Sequence, residues 1–129
     1  MDKKPVILVI EDEESLRDAI RTKLASSGFA VLSAMTAEEG LEILEFHTPD
    51  LVWLDLLLPG MGGFQFLERL RKEDKFKNLP VIIVSVSASP EKVQHAFQLN
   101  VVDYIVKSQY RLEDIVKKID SLLPNPHKK

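Results

Sequence analysis

Apolar residues gather in short dense runs along this chain: VILVI (6–10), FAVLSA (29–34), LVWLD (51–55), VIIVS (81–85) and VDYIV (102–106). Several are apolar on consecutive residues instead of alternating with polar ones. That is the pattern of strands covered on both faces, as in a parallel sheet. Between the runs the period lengthens to that of helices. Leu16, Ile20 and Leu24 recur every fourth residue, and Phe64, Leu67 and Leu70 share a face. Thr36 and Glu39 have the spacing of a capping box ahead of Leu41 and Leu44. Ser89-Pro90-Glu91 predicts a helix start, with Ser as cap and Pro in the first turn, followed by Val93, Ala96 and Phe97. Leu112, Ile115, Val116, Ile119 and Leu122 form the last amphipathic stripe. Strand and helix thus alternate, which implies right-handed crossovers and helices on both faces of a parallel sheet. No repeat, low-complexity tract or linker interrupts this order. PNPHKK at 124–129 reads as a C-terminal tail, leaving residues 1–123 as one domain.

Composition narrows the reading. The 129 residues suit one domain with a real core. The 17 Lys and Arg against 20 Asp and Glu give a net charge of −3, without the basic excess usual for a nucleic-acid binder. The longest apolar runs are strand-sized, so no membrane span is expected. MDKKPVILVIEDEE turns acidic at once and shows no small-residue cleavage site, so it reads as a strand rather than a signal peptide. With no cysteine, disulfide and thiolate chemistry are excluded, and a cytoplasmic location is expected.

The polar residues then stand out by position. In an open parallel sheet, ligands bind beyond the carboxyl ends of the strands. The first run leads into Glu11 and Asp12, the third finishes at Asp55, the fourth at Ser85, and the fifth leads into Lys107. The second offers only Ser33, Ala34 and Met35. Asp55 is therefore expected at the rim of the sheet, facing a polar pocket. Crowded carboxylates repel by about 4 kcal/mol per pair at about 4 Å and an effective dielectric near 20, unless a cation joins them. Oxygen ligands without Cys or a nearby His favour Mg²⁺. Lys107 adds a positive charge suited to an anionic group, so a phosphoryl-transfer pocket is expected. His47, His95 and His127 are scattered without ligand spacing, Trp53 reads as core, and RKEDKFKN (71–78) reads as a solvated helix end and loop.

VILVIEDEE, PDLVWLDLLLPGMGG, PVIIVSVSA and DYIVKS resemble the four signature blocks of response-regulator receiver domains, in the same order and at matching spacing over roughly residues 5 to 123. The resemblance implies an α/β, flavodoxin-like fold: a doubly wound five-stranded parallel sheet of order 2-1-3-4-5 with helices on both faces. It implies that Asp55 is the phosphoacceptor, taking its phosphoryl group from a phosphohistidine on a sensor histidine kinase or histidine phosphotransfer protein. Asp12 resembles the direct Mg²⁺ ligand, Glu11 a neighbour acting through water, and the backbone carbonyl of Leu57 a further metal contact. Lys107 matches the phosphate-pairing lysine, Ser85 the switch hydroxyl and Tyr104 the switch aromatic. Pro59 and Gly63 match the turn after the third strand. Phosphorylation would then reshape the surface of helix four, strand five and helix five, where a downstream protein binds. The implied setting is two-component phosphorelay signalling, with a stand-alone receiver that binds neither nucleic acid nor membrane. It would catalyse its own phosphoryl transfer, and self-dephosphorylation where that occurs, without turning over a small-molecule substrate.

The sequence departs from the family pattern at named places. Val86 stands where Ala or Gly is more frequent, and a β-branched side chain there would narrow access to Asp55. Ser108 follows Lys107 where Pro is usual. A cis bond before a non-proline costs about 2.5–4 kcal/mol, so a trans Lys107–Ser108 bond is expected. Leu57 cannot orient an attacking water, and Ser87 would help only weakly, which leaves the hydrolysis rate open. Two other functions compete. A phosphorylation-independent interaction module would keep the fold and fail to label with phosphodonors. A Mg²⁺-dependent hydrolase would want a second carboxylate where Leu57 stands.

Overall fold

The computed structural model describes residues 4–123 of the chain; the tail reading for 124–129 and His127 lie outside the described residues. Ten principal elements alternate: β1 (Val6–Ile10), α1 (Glu14–Ser26), β2 (Ala30–Ala34), α2 (Ala37–Phe46), β3 (Leu51–Leu54), α3 (Gly63–Lys72), β4 (Val81–Ser85), α4 (Pro90–Gln98), β5 (Asp103–Val106) and α5 (Leu112–Leu122). Short 3₁₀ turns occupy Asp74–Phe76 and Lys107–Gln109. All strand pairs are parallel, and the five strands stand in the order β2-β1-β3-β4-β5. The strand order reverses between β1 and β3, and it is beyond the carboxyl ends at such a switch point that open parallel sheets bind ligands.

Alternation of side chains divides the core in two. Leu8, Ile10, Val52, Leu54, Val81 and Ile83 face a layer that includes Leu44, Phe66, Leu67, Leu70 and Ala96. Ile7, Val9, Leu51, Trp53, Ile82 and Val84 face Ile20, Leu24, Ile115, Val116 and Ile119. Thus α2, α3 and α4 cover one face and α1 and α5 the other. Both faces are covered by helices, which is why the central strands read as continuous apolar runs.

The helix starts follow their local chemistry. Thr36 Oγ1 accepts the Glu39 N–H at 3.0 Å. Glu39 reaches back to accept the N–H of Met35 at 2.7 Å, one residue earlier than the usual box. Ser89 Oγ accepts the Lys92 N–H at 3.2 Å, with Pro90 in the first turn of α4. At α3 the close approach is backbone on backbone. A Cβ on Gly63 would stand 2.7 Å from Leu56 Cα and 2.8 Å from Asp55 O. Only glycine allows α3 to begin that near the end of β3.

Candidate functional site

The sheet ladder sets the positions at the carboxyl edge. Asp55 N–H donates to Ile10 O at 3.2 Å, and Glu11 N–H donates to Ala34 O at 3.0 Å. Each acid therefore sits one residue past its strand, held by one last ladder bond; Asp55 follows β3 rather than ending it. Glu11 and Asp55 are buried, at 1% and 4% exposure, whereas Asp12 is exposed. Lys107 begins the turn after β5 and crosses to both buried acids. Its Nζ lies 2.9 Å from Glu11 Oε1 and 3.2 Å from Asp55 Oδ2. The remaining oxygens are held by backbone: Leu57 N–H donates to Asp55 Oδ1 at 3.0 Å, and Glu13 N–H donates to Glu11 Oε2 at 3.1 Å. Both buried carboxylates are thus fixed in plane and orientation.

Carboxylate oxygens of Glu11, Asp12 and Asp55 all lie within 4.8 Å of one another. Three acids face one ammonium, so the cluster is short of positive charge. The titration behaviour has the same sense. Burial, opposed by the hydrogen bonds from Lys107 and the Glu13 N–H, and reinforced by Asp55, pushes the Glu11 carboxyl up from its ordinary value. For Lys107, burial alone would lower the ammonium; the Glu11 hydrogen bond and the charges of Asp55 and Glu11 outweigh it and raise it. The ammonium is well served by two acids, but one ammonium does not serve the acids. The donor set fits a small divalent cation: it is all hard oxygen, and a second cation would relieve the repulsion that Lys107 leaves.

Ser85 and Tyr104 lie on the adjoining strands. Ser85 is fully buried at the end of β4, and its Oγ accepts the Ser87 N–H at a long 3.4 Å. The Tyr104 hydroxyl on β5 donates to the carbonyl of Ser87, tying the phenol to the loop after β4. Burial first, and the Asp55 charge second, raise the Tyr104 phenol above its ordinary value. Leu57 and Val86 are exposed, at 49% and 61%. No cis peptide occurs among the described residues, so Lys107–Ser108 is trans as the sequence predicts. His95 packs on Phe64 and stands 3.3 Å from Glu68 Oε2, linking α4 to α3.

Two supporting residues escaped the sequence reading. Arg17 Nη1, on α1, donates to the carbonyl of Glu11 at 2.9 Å and to that of Asp12 at 3.4 Å, holding the turn that carries both acids. Glu38 Oε2, at the start of α2, accepts the Met61 N–H at 3.1 Å and braces the loop between β3 and α3. Arg17 lies about one helical turn past the acids, a spacing that hints at such a reach; Glu38 leaves no comparable local signal.

A doubly wound sheet with an acid cluster and a lysine at its switch-point edge defines a class of α/β domains whose donor set could take a cation and an anion together. Comparison with known proteins makes the class specific. The profile of the response regulator receiver domain matches residues 7–120, and the chain belongs to that family. The transcriptional regulatory protein AfsQ1 of Streptomyces coelicolor is 35% identical over 103 residues, which span 80% of this chain and 44% of that protein. The probable transcriptional regulator ycf27 of Porphyridium aerugineum is 33% identical over 129 residues, spanning 95% and 52%. Among solved structures, the chemotaxis protein CheY4 of Vibrio cholerae superposes with a TM-score of 0.86 at 25% identity, over 94% of this chain and 100% of that one. A CheY-like receiver domain protein of Methanospirillum hungatei gives 0.85 at 28% identity, over 93% and 94%. The chain spans about half the length of these two curated relatives. No helix among the described residues is long and apolar enough to cross a membrane.

Proposed function

We propose that this receiver domain accepts a phosphoryl group on Asp55 from a phosphohistidine of a histidine kinase or phosphotransfer protein, and that the new charge switches a protein-binding face. One observation carries the reading: carboxylate oxygens of Glu11, Asp12 and Asp55 converge within 4.8 Å, with Lys107 Nζ 3.2 Å from Asp55. In this reading Asp12, Asp55 and the Leu57 carbonyl hold Mg²⁺, with Glu11 acting through water. When bound, the ion supplies charge neutralisation for an incoming phosphoryl oxygen. The protein's own share is positioning. The Leu57 N–H and Lys107 fix the Asp55 carboxylate before the donor arrives, which lowers the entropic part of the barrier. An oxygen of Asp55 forms the new P–O bond as the P–N bond of the phosphohistidine breaks, and the imidazole leaves with the bonding pair.

Readout follows from the neighbouring strands. An acyl phosphate on Asp55 offers new acceptor oxygens beside the β4 edge, and Ser85 moves its hydroxyl from the Ser87 N–H to them. Tyr104, tied to the Ser87 carbonyl, follows that loop. The face made by α4, β5 and α5 exposes Phe97 and Val102, at 45% and 41%, apolar area suited to a protein partner. We assign no nucleic-acid or membrane contact to this domain, and place it in the cytoplasm with its donor. The DNA binding named for regulator RpaA of Synechocystis belongs to a protein of which this chain spans 49%.

Intact-mass measurement after acetyl phosphate treatment tests the proposal. A gain of one phosphoryl group is expected in wild type with Mg²⁺, and none in Asp55→Asn or in EDTA. Equal gain in Asp55→Asn would move the acceptor elsewhere. No gain in wild type under any condition would leave a phosphorylation-independent module.

A further inference from the structure

The three acids of the rim are not held alike. The Glu11 and Asp55 carboxylates each accept one backbone N–H and pair with Lys107. The Asp12 carboxylate is exposed and accepts no hydrogen bond among the described residues. What places it is its backbone, and the hold on that backbone is Arg17. Arg17 Nη1 donates to Glu11 O at 2.9 Å and to Asp12 O at 3.4 Å. The Arg17 backbone N–H donates to Glu13 O at 2.8 Å, so one residue of α1 ties down the carbonyls of 11, 12 and 13 in succession. Five acids, Glu11, Asp12, Glu13, Glu14 and Asp18, lie within six residues of Arg17, yet its guanidinium forms no ion pair among the described residues.

We infer that Arg17 is a positioning residue for the metal: its grip on the turn aims the Asp12 carboxylate at the cation, and so sets the affinity for Mg²⁺. The inference rests on the reading of Asp12 as a metal ligand. It has a physical opponent, because a guanidinium beside a cation site repels the cation. An arginine acting through its charge alone would therefore weaken Mg²⁺ binding. An arginine acting through its hydrogen bonds strengthens it, since the turn is ordered before the ion arrives and less freedom is lost on binding. The two effects differ in sign, which makes them separable. Groups that orient a metal ligand from outside the coordination shell are typically worth about 10–100-fold in affinity. An effect of that size outweighs the repulsion of a charge that faces solvent on one side.

The test titrates Mg²⁺ into ¹⁵N-labelled wild type, Arg17→Met and Arg17→Lys, following backbone amide shifts that also report whether each variant is folded. Arg17→Met removes both the grip and the charge. Arg17→Lys keeps the charge, but its side chain is one bond shorter and its ammonium falls short of the two carbonyls; it stands in if Arg17→Met does not fold. Both variants should bind Mg²⁺ roughly tenfold more weakly than wild type. In metal-free buffer the order parameter of the Asp12 amide should fall in both from about 0.85 towards 0.6. Tighter binding by Arg17→Met would overturn the inference, because charge would then be the larger effect. Unchanged affinity in the folded variants would overturn it too, as expected of a residue that only stabilises the fold, and so would an Asp12 amide that stays rigid in both. Wild type that takes up no Mg²⁺ would overturn the metal site itself, and this inference with it.

Discussion

The hydrocarbon layers flanking the sheet and the two buried acids at its carboxyl edge, Glu11 and Asp55, are about equally hidden from water, but different forces hold them. Phe66 is fully buried and Asp55 is 4% exposed. Phe66 lies among Leu, Ile and Val side chains, where removing surface from water is favourable in itself. Asp55 lies among other acids and one ammonium, where burial is unfavourable unless each charge is answered. The interior is therefore arranged for stability. The rim is not: three acids share one ammonium, and the protein alone leaves part of their repulsion unanswered.

The largest expected effect breaks the interior. Phe66→Ala should lose about 3–5 kcal/mol of unfolding free energy in urea titration. Asp55→Asn, at the rim, should change stability by no more than about 1 kcal/mol in either direction, because it relieves repulsion while giving up half of the Lys107 pairing. A loss as large as that of Phe66→Ala would erase the contrast. Next comes the guest. Mg²⁺ at a hundred times its dissociation constant should stabilise wild type by about 2.7 kcal/mol, reversed by EDTA and absent in Asp12→Ala, followed by thermal melting. Gly63→Ala links the two regions, since the added methyl meets Leu56 Cα and Asp55 O. It should cost about 1–3 kcal/mol and weaken Mg²⁺ binding, read by urea midpoint and calorimetry.

The smallest expected effect is on pH. The folded-state value of Glu11 is raised, so the folded protein holds that proton more tightly than the unfolded chain does. Its contribution to stability is complete below the ordinary value of 4.5 and is lost as pH rises through the raised one. In metal-free buffer, the urea midpoint of wild type relative to Glu11→Gln should decline across that window. A difference that grows with pH there would contradict the burial argument.

Much of this was legible before any coordinates. All five strands stand where the apolar runs lie: in the central β1, β3 and β4, burial on both faces keeps the interior positions apolar, whereas the edge strands β2 and β5 carry Ser33 and Asp103. The rim acids and Lys107 were legible because each breaks off such a run at its carboxyl end. What was not legible depends on approach between distant parts of the chain. Glu38 meets Met61 across 23 residues, the Tyr104 phenol meets Ser87 across 17, and no local pattern encodes either contact. From sequence, Trp53 is a core residue, which it is; that its indole nitrogen finds no partner among the described residues left no sign in the sequence.

The central claim is that Asp55 itself carries the phosphoryl group. Borohydride reduces an acyl phosphate to the alcohol, turning a phosphorylated aspartate into homoserine. After acetyl phosphate and Mg²⁺, borohydride treatment and peptide mapping should find homoserine at position 55 alone, and none when Mg²⁺ is withheld. Homoserine at Asp12, or at any other acid with position 55 unchanged, would contradict the account.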